Sequence, residues 1–233
     1  MKKPKNNWQQ FKVSPDQTHH LIGKQPAYKS RFLHVMKFHQ PGLAPVKSQE
    51  GSFHIDALGN PIYSHRYNKT FGFYNERAAV CSNNGYFHIL PNGKKLYKER
   101  YTWCGNFQEH LCVVRDQKGS YFHINDKGER AYPQSFRYAG DFRDGYAVVQ
   151  NDEGLHTHIL SDGSYLHKKW FVDLDVFHKG FARAKDRKGW FHISLDGKQA
   201  YVYRFADVEP FYNGFARAET ISDGRLVLID ENI

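Results

Sequence analysis

Fourteen histidines in 233 residues are the first chemical feature of this chain, since imidazole moves protons near neutral pH and binds metals. The stretch from Leu155 to Lys179 gathers several: His156 and His158 flank Thr157, His167 comes next, and His178 stands near Asp173 and Asp175. A carboxylate beside an imidazole can do general acid and base work, so His156, Asp175 and His178 are the candidate catalytic residues. The same three are the candidate metal ligands. Ordinary loop variation is the competing account, because no nucleophile elbow, glycine-rich phosphate loop, H-E-x-x-H or paired-cysteine motif accompanies them. No cofactor is expected, and whether the chain catalyses anything stays open.

A second set of residues points to binding. The formal charge is +9, which favours an anionic partner, whether phosphate, nucleic acid or another acidic surface. Basic residues recur before an aromatic at Arg31, Arg66, Arg100, Lys169 and Arg204, where stems lying over rings would account for them structurally. Lys47, Arg115, Arg183, Lys185 and Arg217 are different, because they occupy variable positions of the first strand, shared with Cys81, Gln150 and Glu219 in one column and with Pro45, Ala79, Val113 and Val148 in the other, whose alternate residues would face a central channel. Facing a common channel, these five would suit a small phosphate- or carboxylate-bearing ligand, since forked guanidinium donors match such oxygens. Pairing with neighbouring Asp and Glu is the alternative.

These residues are positioned by a repeat. Phe-His-Ile occurs at residues 53–55, 87–89, 122–124 and 191–193, with Thr157-His158-Ile159 in the remaining slot, so copies lie 34 or 35 residues apart. A turn glycine keeps the step at Gly23, Gly59, Gly93, Gly128, Gly163 and Gly197. A tyrosine comes after it at Tyr28, Tyr63, Tyr97, Tyr132 and Tyr201, with Leu166 standing in for the fifth. A phenylalanine recurs at Phe38, Phe73, Phe107, Phe142, Phe177 and Phe211, and small residues at Ala44, Ala78, Cys112, Ala147, Ala182 and Ala216. A histidine repeated with the framework reads as a structural residue, hydrogen-bonded between neighbouring units, rather than as a metal ligand.

Each unit translates into three strands. In the best-defined copy they cover residues 180–185, Trp190 to Leu195, and Lys198 to Phe205, with a hairpin signal at Asp196-Gly197. Residues 1–17 read as an irregular extension and residues 18–233 as one repeat domain. Leu21 to Phe38 resembles a later half-unit and Gly214 to Ile233 an earlier one, which predicts a closed all-β propeller of six three-stranded blades whose termini share a blade. An open solenoid is the alternative. Cys81, Cys104 and Cys112 show no framework spacing and read as reduced. No apolar run is long enough to span a membrane, so the expected setting is cytoplasmic, with no membrane partner.

Gly189-Trp190-Phe191-His192-Ile193 and Gly180-Phe181-Ala182-Arg183-Ala184 resemble the WG, or KWG, repeat family of bacterial proteins. Only this copy has Gly-Trp literally, others having Gly85-Tyr86 or Gly51-Ser52. The resemblance implies a β-repeat domain, found alone or fused to others, and brings no catalytic motif. The phrase from Asp173 to Gly180 is also similar to repeat proteins encoded beside small-molecule biosynthetic enzymes, including those of the toxin toxoflavin. The expected function is therefore a ligand-binding or interaction module with a basic central channel, taking a small anionic ligand or a protein partner. The alternatives are an enzyme acting on a phosphorylated or heterocyclic metabolite, and a nucleic-acid-binding scaffold.

Overall fold

The computed structural model describes residues 8–231; the basic run Met1-Lys2-Lys3-Pro4-Lys5 lies outside them. After a 3-10 turn at Trp8–Gln10, the described chain is all β, arranged as seven three-stranded antiparallel sheets. The first joins Lys12–Val13, His20–Ile22 and Gln25–Pro26, and the second His34–Val35, Ala44–Ser48 and Gly51–Ile55. The third joins Lys69–Tyr74, Arg77–Ser82 and Gly85–Ile89, and the fourth Trp103–Cys104, Leu111–Arg115 and Tyr121–Asn125. The fifth joins Tyr138–Ala139, Ala147–Gln150 and His156–Ile159, and the sixth Asp173–Leu174, Phe181–Asp186 and Gly189–Ser194. The seventh joins Asp207–Val208, Phe215–Glu219 and Leu226–Asp230. Among the described residues no helix is long and apolar enough to cross a membrane, and Cys81, Cys104 and Cys112 are not joined to one another by a disulfide.

The chain divides into two compact units, Met1–Lys118 with Asn125–Glu129, and Gly119–Ile124 with Arg130–Ile233. In the first, Val35, Ala44, Val46, Phe53 and Ile55 form a core around Tyr28. In the second, Ala182, Ala184, Phe191 and Ile193 of the sixth sheet join Phe171, Phe205 and Phe211. Strand alternation explains the choice: Ala182, Ala184, Phe191 and Ile193 share one face, while Arg183, Lys185, Trp190 and His192 share the other.

Two details depart from the sequence reading. Seven sheets stand where six units are counted, because the N-terminal segment and the residues after Gly214 each build a sheet of their own. The missed copy is His20, which lacks the Phe-His-Ile signature but makes the same contacts as the others. The strand expected from Lys198 to Phe205 is instead a bent segment held by isolated bridges at Gln199 and Phe205. Tyr201 is drawn inward while Val202 and Tyr203 both face solvent, which breaks the alternation a strand requires. In the second, fourth, fifth, sixth and seventh sheets the third strand is a two-residue one that precedes the small-residue strand.

The repeated histidine ties each sheet to the link that leads into the next one. His54 Nε2 donates to the Phe71 carbonyl at 2.8 Å and its Nδ1 accepts from the Tyr63 hydroxyl at 2.5 Å. His20, His88 and His192 do the same with Tyr28 and Met36, Tyr97 and Gly105, and Tyr201 and Glu209. His123 pairs likewise with Tyr132 and the Gly140 carbonyl. A carbonyl can only accept, so Nε2 carries the proton, and burial disfavours a second proton on Nδ1. Burial pushes His54, His88, His123, His158 and His192 down to about 4. The turn glycine completes the joint. Gly93 has φ of 79°, and a Cβ there would lie 2.6 Å from the Tyr63 ring, so only glycine allows the turn to seat on the preceding tyrosine.

Candidate functional site

The fifth unit departs from this plan at one link. His158 keeps its Nε2 bond to the Asp175 carbonyl at 2.9 Å, but its Nδ1 partner is His167 Nε2 at 3.2 Å. His167, not Leu166, therefore occupies the tyrosine position. With Nε2 donating to His158, the buried His167 Nδ1 has no hydrogen-bond partner among the described residues.

Beside this link lies a cleft of about 600 Å³. Antiparallel register places Tyr138, Gln150 and His156 side by side on one face of the fifth sheet, with Val148 next to His158 on the same face. The opposing wall is Asp173, Leu174 and the link from Asp175 to His178, with Pro210 at its edge. Val148, Leu174 and Phe177 are buried, whereas Tyr138, Asp141 and Arg143 are exposed. Phe177 stacks on His158 with centroids 4.2 Å apart, which fixes the link against the sheet. His178 opens a two-residue turn through Lys179 and Gly180, both at positive φ, and exchanges backbone bonds with Phe181.

The three residues picked from sequence all line this cleft, but only one is chemically available. The Asp175 carboxylate accepts from Arg183 Nε at 2.5 Å. His156 donates from Nδ1 to the Val172 carbonyl at 3.1 Å, while Nε2 lies 3.1 Å from the Gln150 amide, so both nitrogens are engaged. Among the described residues the His178 ring makes no side-chain hydrogen bond. Nor do any three His, Cys, Asp or Glu side chains come together among them in a group that could hold a metal. Asp141, Tyr138 and Arg143 were not singled out by sequence. Desolvation raises the Asp141 carboxyl, which has no partner among the described residues. Its repeat position is held elsewhere by Lys37, Gly72, Asn106, Val176 and Pro210, and that variability was the available signal.

The basic residues fall in different settings. In the second unit Arg183 is one-quarter exposed and bonded to Asp175, to the Val208 carbonyl at 2.8 Å and, at 3.6 Å, to Asp207. Lys185 lies 5.3 Å from the Trp190 ring centre, with Arg183 5.2 Å from the same ring. Arg217 is paired with Glu209. In the first unit Lys47 lines a smaller cleft of about 220 Å³ with His34, Pro45 and Lys69, and Arg115 is exposed at a strand end. The basic residues preceding the aromatics behave as packing predicts: Arg66, Arg100 and Arg204 lie 3.9, 3.8 and 3.6 Å over Phe53, Phe87 and Phe191. Where Ser135 interrupts that series, Arg130 covers Phe122 at 4.0 Å.

No curated protein matches the chain. Among solved structures, BamB from Moraxella catarrhalis is 11% identical over 89% of this chain and 75% of its own, with a TM-score of 0.49. The computationally designed Ika4 protein is 14% identical over 59% of this chain and 98% of its own, with a TM-score of 0.37. Residues 55–86 and 124–154 match the WG containing repeat. Each of these segments runs from the end of one sheet into the next, through the glycine turn and the tyrosine that receives the histidine, so over these two stretches the chain carries the WG repeat.

Proposed function

We propose that this chain is a non-catalytic binding module whose ligand lodges in the cleft between Val148 and Leu174. The observation that carries this reading is the combination of apolar walls with two polar groups unpartnered among the described residues, the His178 imidazole and the Asp141 carboxyl. A small anionic ligand suits it. Arg143 and His178 offer donors to a carboxylate or phosphate, and the net charge of +9 favours its approach. Arg183 and Arg217 already hold carboxylates, so an anion there would have to displace them. The fixed roles of Asp175 and His156 speak against acid and base catalysis by the three candidates. Nucleic-acid stacking has little support, because the repeated Phe53, Phe87, Phe122 and Phe191 are buried. The reading needs no closed ring, since the cleft is complete within residues 138–210.

The test is an NMR titration of the full chain with aryl carboxylates, aryl phosphates and aryl amines. Anionic members are expected to shift the ring signals of His178 and Tyr138, and Val148→Arg, which copies Arg183 into the cleft, is expected to abolish those shifts. Failure of every anion to move these signals, or shifts that survive Val148→Arg, would overturn the proposal.

A further inference from the structure

The smaller cleft, of about 220 Å³, lies wholly within the first compact unit, between the second and third sheets. His34, Lys47 and Ser52 stand in one row across the second sheet and share its face towards the cleft, with Pro45 two residues along. Thr70 enters from the third sheet. Its register position is held in the second and the fourth to seventh sheets by Val35, Cys104, Ala139, Leu174 and Val208, all buried and none carrying a hydroxyl. Thr70 is only 7% exposed, yet its hydroxyl makes no hydrogen bond among the described residues. A buried hydroxyl without a partner is a cost that the other sheets avoid. Lys47 and His34 likewise have no ion pair or side-chain hydrogen bond among the described residues, and no described Asp or Glu lines the cleft.

The geometry points to this cleft as a site for a phosphomonoester of a small organic group. The Lys47 ammonium, a ring N–H of His34 and the Thr70 hydroxyl are three donors brought together from two sheets. A terminal phosphoryl group presents three acceptor oxygens to them, whereas a carboxylate offers two. Lysine also holds phosphate as a point charge, without the fork that matches arginine to carboxylates. Lys69, next to Thr70 on its strand, adds to the positive potential, and Met36, Pro45 and Phe71 give the organic part an apolar wall. The volume lies below the roughly 300 Å³ at which drug-sized sites begin, so that part is small. The equivalent cleft of the fifth sheet differs in kind: Asp173 stands at the register position of Lys69, Leu174 at that of Thr70 and Val148 at that of Pro45. No ligand in the fifth-sheet cleft is required for this one to be filled.

The test is an NMR titration of the full chain with phenyl phosphate, followed at the ring signals of His34, with benzoate as the carboxylate probe. Phenyl phosphate is expected to give saturable shifts, and benzoate to bind about tenfold more weakly. Lys47→Gln copies Gln150 and Thr70→Val copies Val35, so each introduces a residue that the framework already carries at that position. Either substitution is expected to weaken phenyl phosphate by about tenfold. Lys94→Gln, at an exposed lysine of the same unit outside the cleft, leaves the affinity unchanged. The His178 signals are followed in the same spectra, so the two clefts stand or fail separately. Absence of saturable shifts at His34, an affinity unmoved by Lys47→Gln or by Thr70→Val, an equal loss in Lys94→Gln, or benzoate binding as tightly overturns the inference.

Discussion

The fifth and sixth sheets share one backbone plan and differ at the side chain that faces the next sheet, Val148 in one and Arg183 in the other. Beside Val148 a cleft remains open. Beside Arg183 a guanidinium occupies the equivalent space and bonds to the next sheet's first strand. Both joints keep the histidine-to-carbonyl bond, at 2.9 Å in each. The framework is thus carried by one residue of the strand pair and specialisation by its cross-strand neighbour, so a single substitution can open or close a cleft without dismantling the joint.

The largest test of this division acts on what the two joints share. His158 and His192, with His54, His88 and His123, titrate near 4 when folded, against an ordinary 6.5. Between those values the unfolded chain takes up protons that the native rings refuse, so stability falls as pH drops from 6.5 towards 4 and is unaffected by these groups above that window. At roughly 1.4 kcal/mol per unit of separation, five rings together outweigh the ~5–15 kcal/mol that holds a domain folded. Circular dichroism is expected to show acid unfolding inside that window, and a chain still native at its lower end would break the shared-framework account.

A middle-sized effect separates the joints. Arg183→Val removes the donor of Asp175 and of the Val208 carbonyl, and because the pair is partly exposed the expected loss is about 2 kcal/mol by urea unfolding. A neutral result would mean that the guanidinium only fills space. The smallest effect is also the most discriminating. Tyr201→Phe leaves the buried His192 Nδ1 without a donor and should cost about 1–2 kcal/mol. His167→Tyr should instead stabilise by about 1 kcal/mol, because it removes the orphan Nδ1 and restores the hydroxyl donor used at the other joints. Gly197 already leaves room for the larger ring, as Gly163 does for Tyr132. A destabilised His167→Tyr would show that the imidazole pair has a role of its own.

The period, the strand-rich units and the structural nature of the repeated histidine could be read from spacing alone, because each is imposed on every copy. What escaped was whatever only one copy does. His20 went unseen because His19-His20-Leu21 hides the signature, and His167 was displaced by one residue because Leu166 and His167 are equally unlike tyrosine. The cleft was half legible. His156, Asp175 and His178 stood out as chemical types, yet sequence could not show that Asp175 is held by Arg183 or that Tyr138, Asp141 and Arg143 complete the wall. Strand alternation assigns a face, but not which neighbour covers it.

The hydrogen bonds that join successive sheets span short stretches of chain: in the second joint, His54 meets Tyr63 nine residues on and Phe71 seventeen residues on. Most all-β domains must close long loops before their pairings reward them, which slows their folding. Here each sheet can be secured as soon as about half of the next period exists. A nascent chain can therefore set its structure in order of synthesis, with little unpaired strand waiting for distant partners.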